Sequence, residues 1–329
     1  MSETTASWLD GRRATLLLAS LLVSFGAASL HAAETLTFAT YNVQNYTLEN
    51  RQLPDGGGFR PDYPKPEAEK AALRAVIRSL DADVLALQEM GGPPFLAELQ
   101  RDLAAEGVAY PYGEAMLAAD EKRGLAVLSR VPLGAVTAHR DLAGTRPGSA
   151  QPEPVRRGLL EVGVPWQGET VTLFVVHLKS RLVEDKTDPA AEEQRAAEAV
   201  AVRERILQRV PAAPKSDAED GEPKLVAQGL YVVMGDFNDV PGSRPLRAIQ
   251  AKGKREIAQW VDAADSRGHR WSYAFARQAM YSRFDHVLVS PALGKRVERA
   301  WIGDLPETAL ASDHRPVVLR LRAQKNGDQ

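Results

Sequence analysis

A carboxylate and an amide stand two positions apart in the segment GDFND, at residues 235–239. The segment follows the apolar run LYVVM at residues 230–234, a pattern that indicates a buried strand. Residues two apart on extended backbone point to the same side, so Asp236 and Asn238 can reach one common point. A carboxylate can take a proton or hold a cation, and an amide can orient a water or a phosphoryl oxygen. Gly, Asp and Asn also form turns, so this segment alone is equally consistent with a simple turn.

Four more clusters of polar residues lie at the margins of predicted strands. They are TYNVQN at residues 40–45, QE at 88–89, HLKS at 177–180, and FDH at 284–286 together with SDHRP at 312–316. In each cluster an acid, an amide or a histidine adjoins a hydrophobic run. Catalytic residues on loops held by a rigid sheet are distributed in this way. The pattern therefore predicts one site that is built from strand ends throughout the chain.

In order, the motifs TYNVQN, LALQE, VVHLKS, VVMGDFND, FDHVLVSP and SDHRP resemble those of the endonuclease/exonuclease/phosphatase superfamily. This superfamily includes deoxyribonuclease I, abasic-site endonucleases of the exonuclease III type, neutral sphingomyelinases and inositol-polyphosphate 5-phosphatases. The resemblance implies a deoxyribonuclease I-like α/β fold, a four-layer sandwich of two mainly antiparallel β-sheets flanked by helices. It also implies a metal-dependent site for phosphoester cleavage at one edge of the sandwich.

The same resemblance implies which residues hold the metal. The glutamate of the family's QE motif is a metal ligand, and in this chain it is Glu89. Asn42 and Asp313 match the other positions that line the metal in relatives. Oxygen ligands of this kind suit Mg²⁺ or Mn²⁺. We therefore expect one of these cations at Asn42, Glu89 and Asp313.

The expected catalytic residues follow from the remaining motifs. His314 matches the family's catalytic histidine, and Asp285 would orient its Nδ1 atom. His177 matches a second histidine of deoxyribonuclease I and sphingomyelinases, and would donate to the charge that develops on phosphorus. Asp236 would orient or deprotonate the attacking water, with Asn238 holding that water or a phosphate oxygen. The sequence leaves open whether His314 or Asp236 takes the proton.

Three basic residues are candidates for contacts with the substrate phosphate: Lys179, Arg181 and Arg157. By strand alternation, His286 should point away from the side that Asp285 occupies and should not be catalytic. Arg315 and Asp239 are expected to have structural roles.

Composition restricts the possible functions. The 329 residues are 44% hydrophobic, enough for a sizeable core, and contain no cysteine, which excludes disulfides, thiolate metal sites and a cysteine nucleophile. The formal net charge of -2 argues against a strong non-specific hold on nucleic acid. A local basic groove remains compatible with that charge.

The N-terminus has the pattern of a secretory signal. An arginine pair at residues 12–13 precedes an apolar stretch at residues 14–22, and small residues follow up to Ala33. An uncleaved anchor is the alternative, but the apolar stretch is short for a span of about 20 residues. We expect a signal peptide at residues 1–33, one domain at 34–322, a polar tail at 323–329, and a secreted or periplasmic protein without a stable membrane anchor.

Short β-rich runs alternate with helical patterns, as in a layered α/β sandwich. Helices are predicted at residues 66–80, 94–103 and 189–210, and a strand at 125–129. The third helix carries a mixed set of charges suited to solvent, including Arg195 and Glu198. Loose segments are predicted at residues 52–64, 144–154 and 211–224, which are rich in Gly, Pro or polar residues.

The expected function is that of an exported, metal-dependent phosphodiesterase or nuclease that uses in-line attack of water on phosphorus. Nucleic acid is the preferred substrate over lipid, because the chain lacks a Trp/Phe-rich stretch that would contact a membrane. The alternatives are a sphingomyelinase-like lipid phosphodiesterase and an inositol-phosphate phosphatase. A non-enzymatic binding module would be expected to have lost ligands that this chain keeps. We expect a monomer.

Overall fold

The computed structural model of the protein describes residues 34–52, 56–182, 186–210, 212–214, 225–227 and 229–324. The predicted signal peptide lies outside the described residues. So do most of the predicted loop at residues 211–224 and the last five residues of the predicted polar tail.

Twelve strands build two six-stranded sheets. In chain order they are β1 (Thr35–Tyr46), β2 (Val84–Met90), β3 (Tyr112–Met116), β4 (Gly124–Ser129), β5 (Val136–His139), β6 (Leu159–Trp166), β7 (Glu169–His177), β8 (Tyr231–Asp236), β9 (Gln259–Trp260), β10 (Asp285–Val289), β11 (Val297–Ile302) and β12 (Val317–Arg322). The strand order is β11-β12-β1-β2-β4-β3 in the first sheet and β9-β10-β8-β7-β6-β5 in the second.

Each large sheet has one parallel pair at its centre, β1 with β2 and β7 with β8, while the neighbouring pairs in the described residues are antiparallel. Parallel neighbours end at the same edge of a sheet. The register aligns Asn42 with Gln88 in the first sheet and His177 with Asp236 in the second. Both central pairs therefore bring two polar motifs side by side where the strands end.

Helices cover the outer faces of the two sheets. The helices are α1 (Glu67–Leu80), α2 (Pro93–Ala105), α3 (Glu192–Arg209), α4 (Arg244–Gln250), α5 (Pro291–Gly294) and α6 (Thr308–Ala311), with a 3₁₀ turn at Ala276–Gln278. The predicted helix at 66–80 is α1, with Pro66 as the residue before its first turn. Among the helices in the described part of the chain, none combines the length and apolar content needed to cross a membrane.

Three apolar clusters lie between the four layers, one between the two sheets and one between each sheet and its helices. Phe38 of β1 and Leu173 of β7 belong to the cluster between the sheets, whereas Tyr41 of β1 faces α1 and packs with Leu73. On the other side, Ile206 of α3 packs on the second sheet. The alternation along β1 follows from the two-residue period of a strand, which sends neighbouring side chains to opposite faces. The architecture is the predicted sandwich of two mainly antiparallel sheets flanked by helices.

All three segments predicted to be loose contain residues in paired strands, the third of them at Ala212–Pro214. Glu49–Gln52 pairs with Phe59–Tyr63, and Ala143–Gly144 pairs with Glu153–Pro154. A composition rich in Gly and Pro does not distinguish short paired strands from irregular loops. Two further small sheets join Tyr273–Phe275 with Met280–Ser282, and Ala212–Pro214 with Leu225–Ala227, Arg255–Glu256 and Ala251–Lys252.

Candidate active site

Asp236 is the point at which the polar motifs of both sheets meet. It ends β8, and its Oδ2 accepts hydrogen bonds from Asn42 Nδ2 at 3.0 Å and Asn238 Nδ2 at 3.3 Å. Its Oδ1 accepts the backbone N–H of Asn238 at 2.8 Å. The Nε2 atoms of two histidines approach Oδ2, His177 at 3.5 Å and His314 at 3.8 Å. As predicted from their spacing, Asp236 and Asn238 reach a common point.

Gly235 allows β8 to lie close beside β7 at this point. Its φ is +149°, and a Cβ atom there would lie 1.9 Å from the carbonyl oxygen of Val176. Only glycine fits this approach, which sets Asp236 directly beside His177 in the parallel register.

His314 is held by a buried carboxylate. Its Nδ1 lies 2.8 Å from Asp285 Oδ2, and both residues are at most 5% exposed. Burial alone lowers the pKa of His314, but the charges of Asp285 and Asp236 outweigh it and raise the pKa well above its usual value. This environment favours the protonated form of His314. Asp285 is in turn positioned by Ser272 Oγ, which accepts the Asp285 backbone N–H at 2.9 Å.

His177 has the opposite environment. Its Nδ1 is buried and has no hydrogen-bond partner among the described residues. Burial, followed by the charges of Arg157, His314 and Arg123, lowers its pKa well below the usual value. The site thus shifts the pKa values of the two histidines beside Asp236 in opposite directions, as expected for an acid and base pair with different chemical roles.

The proposed metal ligands lie on backbone that departs from regular strand geometry. Glu89 has a φ of +61°, and the pairing of β2 with β4 shifts register between Gln88 and Met90. Glu89 is half-buried, and its Oε2 accepts the backbone N–H of Asn45 at 2.9 Å. The irregularity turns the carboxylate towards the strand ends.

Asp313 and Asn42 provide the other oxygens. Burial raises the pKa of Asp313, and the nearby charge of Glu89 raises it further. Two acids that repel each other in a half-buried position are a suitable setting for a cation. Asn42 Oδ1 accepts the backbone N–H of Gln44 at 3.0 Å, which leaves that oxygen one further lone pair. All three predicted residues offer oxygen atoms, the ligand type that a hard cation prefers.

A second group of donors lies deeper. Asp236, Asp285 and His314 each offer one atom within 4.8 Å of the others, and all three residues are buried. A cation in this group would compete with the proton on His314 Nδ1, because that nitrogen faces Asp285. At the oxygen atoms of Glu89 and Asp313 a cation would not compete with a histidine proton, so we favour these residues as the cation site.

The three basic residues that are candidates for phosphate contacts differ in whether their N–H donors are already used in other interactions. Lys179 Nζ donates to the carbonyls of Ser180 at 2.9 Å and Leu182 at 2.8 Å. Arg181 is bonded to Asp239 at 2.7 Å. Arg157 is 6% exposed and pairs with Asp120 through Nη2 at 3.4 Å.

Arg157 keeps two donors for another group. Its Nε and Nη1 atoms are buried and have no partner within the described residues. Unpaired buried N–H groups are costly, and an anion beside His177 would satisfy them. Of the three basic residues, Arg157 has the geometry best suited to hold a phosphate oxygen.

Helix α3 holds three segments near the site from behind, contrary to the expectation that its charges face solvent. Arg195 is 1% exposed and donates through Nε to Asp239 Oδ2 at 2.9 Å. Glu198 is 2% exposed and accepts the backbone N–H groups of Arg156 at 3.2 Å and Lys179 at 2.7 Å. The expectation was wrong for these two residues because their partners lie on distant loops that the helix pattern does not reveal.

Glu198 makes the stability of the fold depend on pH. Burial raises its pKa to about 7, against 4.5 for an ordinary glutamate. Between these values the folded state holds a proton that the unfolded state has lost, so stability should fall as pH rises from about 4.5 to about 7. The loss is on the order of 3 kcal/mol. Urea unfolding at pH 5 and pH 8 measures this loss of stability, which Glu198→Gln should reduce. The exposed Glu192→Gln variant is the control and should lose as much stability as the wild type. An equal loss in the wild type and both variants would contradict the assignment.

Residues expected to be structural have structural partners. His286 lies on the side of β10 opposite to Asp285; its Nδ1 accepts from Trp260 Nε1 at 3.0 Å and its Nε2 donates to the Asp239 carbonyl at 2.8 Å. Arg315 pairs with Asp265 at 2.9 Å.

Sequence reasoning did not single out Ser272, Ser312 or Tyr273. Ser312 Oγ donates to the Asn42 carbonyl at 2.8 Å and accepts the His314 backbone N–H at 3.0 Å. The ring centroid of Tyr273 lies 4.8 Å from that of His314. Ser312 could have been found from its place beside Asp313, but Ser272 and Tyr273 carry no signal in a single sequence.

Comparison with known proteins places this geometry in a family. The model of the "Endonuclease/Exonuclease/phosphatase family" matches residues 39–314. No curated protein matches the sequence significantly.

Solved structures share the fold at low identity. A family protein from Leptotrichia buccalis is 15% identical, with a TM-score of 0.56, and the match covers 88% of this chain and 100% of that one. A protein from Beutenbergia cavernae is 21% identical, with a TM-score of 0.54 and coverage of 88% and 72%. D. rerio TDP2, solved in complex with a single-strand DNA product, is 13% identical, with a TM-score of 0.53 and coverage of 88% and 100%. These structures share the fold, and the family-model match over residues 39–314 shows that the chain belongs to the endonuclease/exonuclease/phosphatase family.

Proposed function

We propose that the protein is an exported, divalent-metal-dependent phosphodiesterase that cleaves nucleic acid by in-line attack of water on phosphorus. Members of its family are phosphoester hydrolases. The observation that carries the proposal is the convergence on Asp236 of a charged histidine, His314, and a neutral one, His177. Such a site can neutralise a phosphate and orient a water at the same time.

The residues divide the work as follows. Asp236 orients the attacking water, and its two amide partners, Asn42 and Asn238, keep its carboxylate in one position. His314, as an imidazolium backed by Asp285, stabilises negative charge on the phosphoryl oxygens. Neutral His177 donates its Nε2–H to the same group. When bound at Asn42, Glu89 and Asp313, Mg²⁺ or Mn²⁺ supplies further neutralisation of the phosphate charge.

Hydrolysis should require a divalent cation, and Glu89→Ala should weaken the hold on it. The variant loses one of the two acids of the oxygen set, so the Mn²⁺ concentration that gives half-maximal activity should rise by about 10-fold or more, as for other lost metal contacts. High Mn²⁺ should restore part of the rate. The measurement is activity against Mn²⁺ concentration after removal of metal with a chelator.

Exposed Glu192→Ala is the matched control and should behave as the wild type. Full wild-type activity on a phosphodiester after exhaustive chelation would refute the metal requirement. A normal Mn²⁺ profile in Glu89→Ala would refute only the assignment of this ligand.

Nucleic acid is the substrate class that we favour. One neighbour in fold, D. rerio TDP2, was solved with a single-strand DNA product. Arg157 keeps free donors beside His177, where a backbone phosphate would lie. With a net charge of -2 the protein has little long-range attraction for DNA, so binding should be weak and sensitive to salt.

Lipid phosphodiesters are the second candidate, and one surface feature favours them. In the hairpin that includes Met280–Ser282, Met280 is 50% exposed and Tyr281 is 60% exposed. The strand paired with it lies beside His314. Exposed apolar side chains beside a site can contact a lipid surface.

Parallel assays on DNA, RNA, sphingomyelin, inositol phosphates and bis-p-nitrophenyl phosphate, each with Mg²⁺ or Mn²⁺, separate these candidates. We expect cleavage of nucleic acid and of the synthetic diester. Fast lipid or monoester turnover with untouched nucleic acid would reject the nuclease proposal and keep the phosphoester-cleaving site.

Export is part of the proposal and rests on the sequence of residues 1–33. The mature protein should begin near Ala33 or Glu34 and lie outside the cytoplasm. N-terminal sequencing of the protein from fractions of its native host tests this. An intact Met1 on protein recovered from the cytoplasm would contradict it.

A further inference from the structure

Tyr273 is attached to the site through its backbone. It begins the strand Tyr273–Phe275 and forms an isolated antiparallel bridge with His314. The next residue, Ala274, donates its N–H to the carbonyl of Asp313 at 2.9 Å. Tyr273 is thereby fixed beside the segment that carries a proposed metal ligand and the charged histidine.

The ring of Tyr273 is engaged in packing. It stacks on Phe284, with centroids 5.0 Å apart and planes at 18°, and lies against His314 at 4.8 Å and 48°. Phe284 is buried, whereas Tyr273 is half-exposed. The ring is thus anchored on Phe284 and His314, and the residue remains partly exposed.

The hydroxyl group lies in the field of the site's acids. Burial, followed by the charges of Asp313, Asp236 and Glu89, raises the pKa of Tyr273. The geometric link to the centre of the site is the contact of the ring with His314, whose Nε2 lies 3.8 Å from Asp236 Oδ2. The phenol remains a neutral O–H donor at neutral pH.

We propose that Tyr273 contacts the substrate directly and donates its hydroxyl hydrogen to a non-bridging phosphoryl oxygen of the bound phosphodiester. This inference rests on the proposed function. The hydroxyl makes one hydrogen bond and transfers no proton. The water oxygen bonds to phosphorus while the water proton passes to the Asp236 carboxylate, and the P–O bond to the leaving group breaks, so that the leaving oxygen departs with the electron pair. A neutral donor suits this place, because a phosphate that enters among three acids needs hydrogen-bond donors.

Packing alone does not explain a tyrosine at this position. Phenylalanine would make the same ring contacts with Phe284 and His314, so a purely structural residue would not need the hydroxyl. Tyr281, on the paired strand of the hairpin, offers the comparison. Its ring lies 4.9 Å from Trp271 and its side chain faces solvent.

Tyr273→Phe is the direct test, with Tyr112→Phe as the control, because Tyr112 is 40% exposed and pairs with Ser129 at the end of the first sheet away from the site. On bis-p-nitrophenyl phosphate with saturating Mn²⁺, Tyr273→Phe should lower kcat/KM by about 10- to 10²-fold, at or below the loss of one oxyanion-hole donor. Tyr112→Phe should stay within about twofold of the wild type. The thermal unfolding midpoint and the Mn²⁺ requirement should be unchanged in both variants.

A second substrate distinguishes the phosphoryl oxygen from the leaving oxygen. p-Nitrophenolate departs without a proton, whereas the phenolate of diphenyl phosphate benefits from a donor. Contact with a non-bridging oxygen predicts the same fold-loss for Tyr273→Phe on both diesters. A loss confined to diphenyl phosphate would overturn the proposal in favour of a contact with the leaving group.

Two further results would overturn the proposal: wild-type kcat/KM in Tyr273→Phe, or a defect that disappears when Mn²⁺ is raised. The second result would mean that the hydroxyl supports the metal ligands instead. Failure of the proposed function is distinguishable, because then the wild type itself would not hydrolyse either diester.

Discussion

His314→Ala is expected to lower turnover of a phosphodiester by at least about 10²-fold, the lower end of the range for a positioned acid or base. The buried ion pair with Asp285, 2.8 Å long, keeps the imidazole charged and fixes the direction of its Nε2. Alanine removes both the charge and the donor. The measurement is kcat on bis-p-nitrophenyl phosphate at saturating Mn²⁺, with circular dichroism to verify the fold.

The partner of this histidine provides a finer test. Asp285→Asn should reduce turnover in the same direction, because an amide cannot support the imidazolium and can reverse its tautomer. His269→Ala is the matched control: this histidine also pairs with an aspartate, Asp265, at 3.1 Å, but its side chain is 51% exposed. It should keep the wild-type rate. Equal rates for Asp285→Asn and the wild type would show that the pair is wrongly assigned.

Asp236→Asn should be comparably damaging, with a loss in kcat of about 10² to 10⁴-fold. The side chain keeps its size, but the negative charge shared by Asn42, Asn238 and the two histidines is lost. An amide nitrogen at either position of the carboxylate would also face one of its present donors. The variant should therefore lose the orientation of the water while the surrounding strands remain folded.

Steady-state kinetics over a series of Mn²⁺ concentrations tests this expectation. A role in orienting water predicts a low kcat that high Mn²⁺ does not restore, in contrast to Glu89→Ala. Asp262→Asn is a suitable control, since this aspartate is 46% exposed and forms an ion pair with Arg270. If Asp236→Asn recovered the wild-type rate with added Mn²⁺, Asp236 would belong to the metal site.

The residues of the candidate site could be named from the sequence because each lies where a strand pattern ends. Four of these residues follow or close apolar runs: Asn42, Glu89, His177 and Asp236. The two-residue periodicity of such runs identifies them as strands in the sequence. The order of the motifs along the chain also indicated the family and, with it, the layered sandwich fold. These features are local or ordered along the chain, so one sequence contains them.

The tertiary structure decided which of the basic side chains already have hydrogen-bond partners within the protein. Lys179 and Arg181 follow the His177 strand as plausible phosphate ligands, yet their donors are used on carbonyls and on Asp239. Arg157 keeps unpaired donors because it lies on a turn that meets another loop at Asp120. Hydrogen bonds between loops depend on contacts distant in the chain, which residue types alone do not encode.

The sequence by itself determined the fold class, the family and the set of strand-end residues that could carry out phosphoester chemistry. Only the tertiary structure decided that the pKa of His177 is lowered and that of His314 raised, since burial and the charge of Arg157 act on His177, whereas the charges of Asp285 and Asp236 outweigh burial at His314. It also buried Arg195 and Glu198 behind the site and set Tyr273 at its rim. Charge state and burial arise from packing among segments far apart in the chain, and no local pattern specifies them.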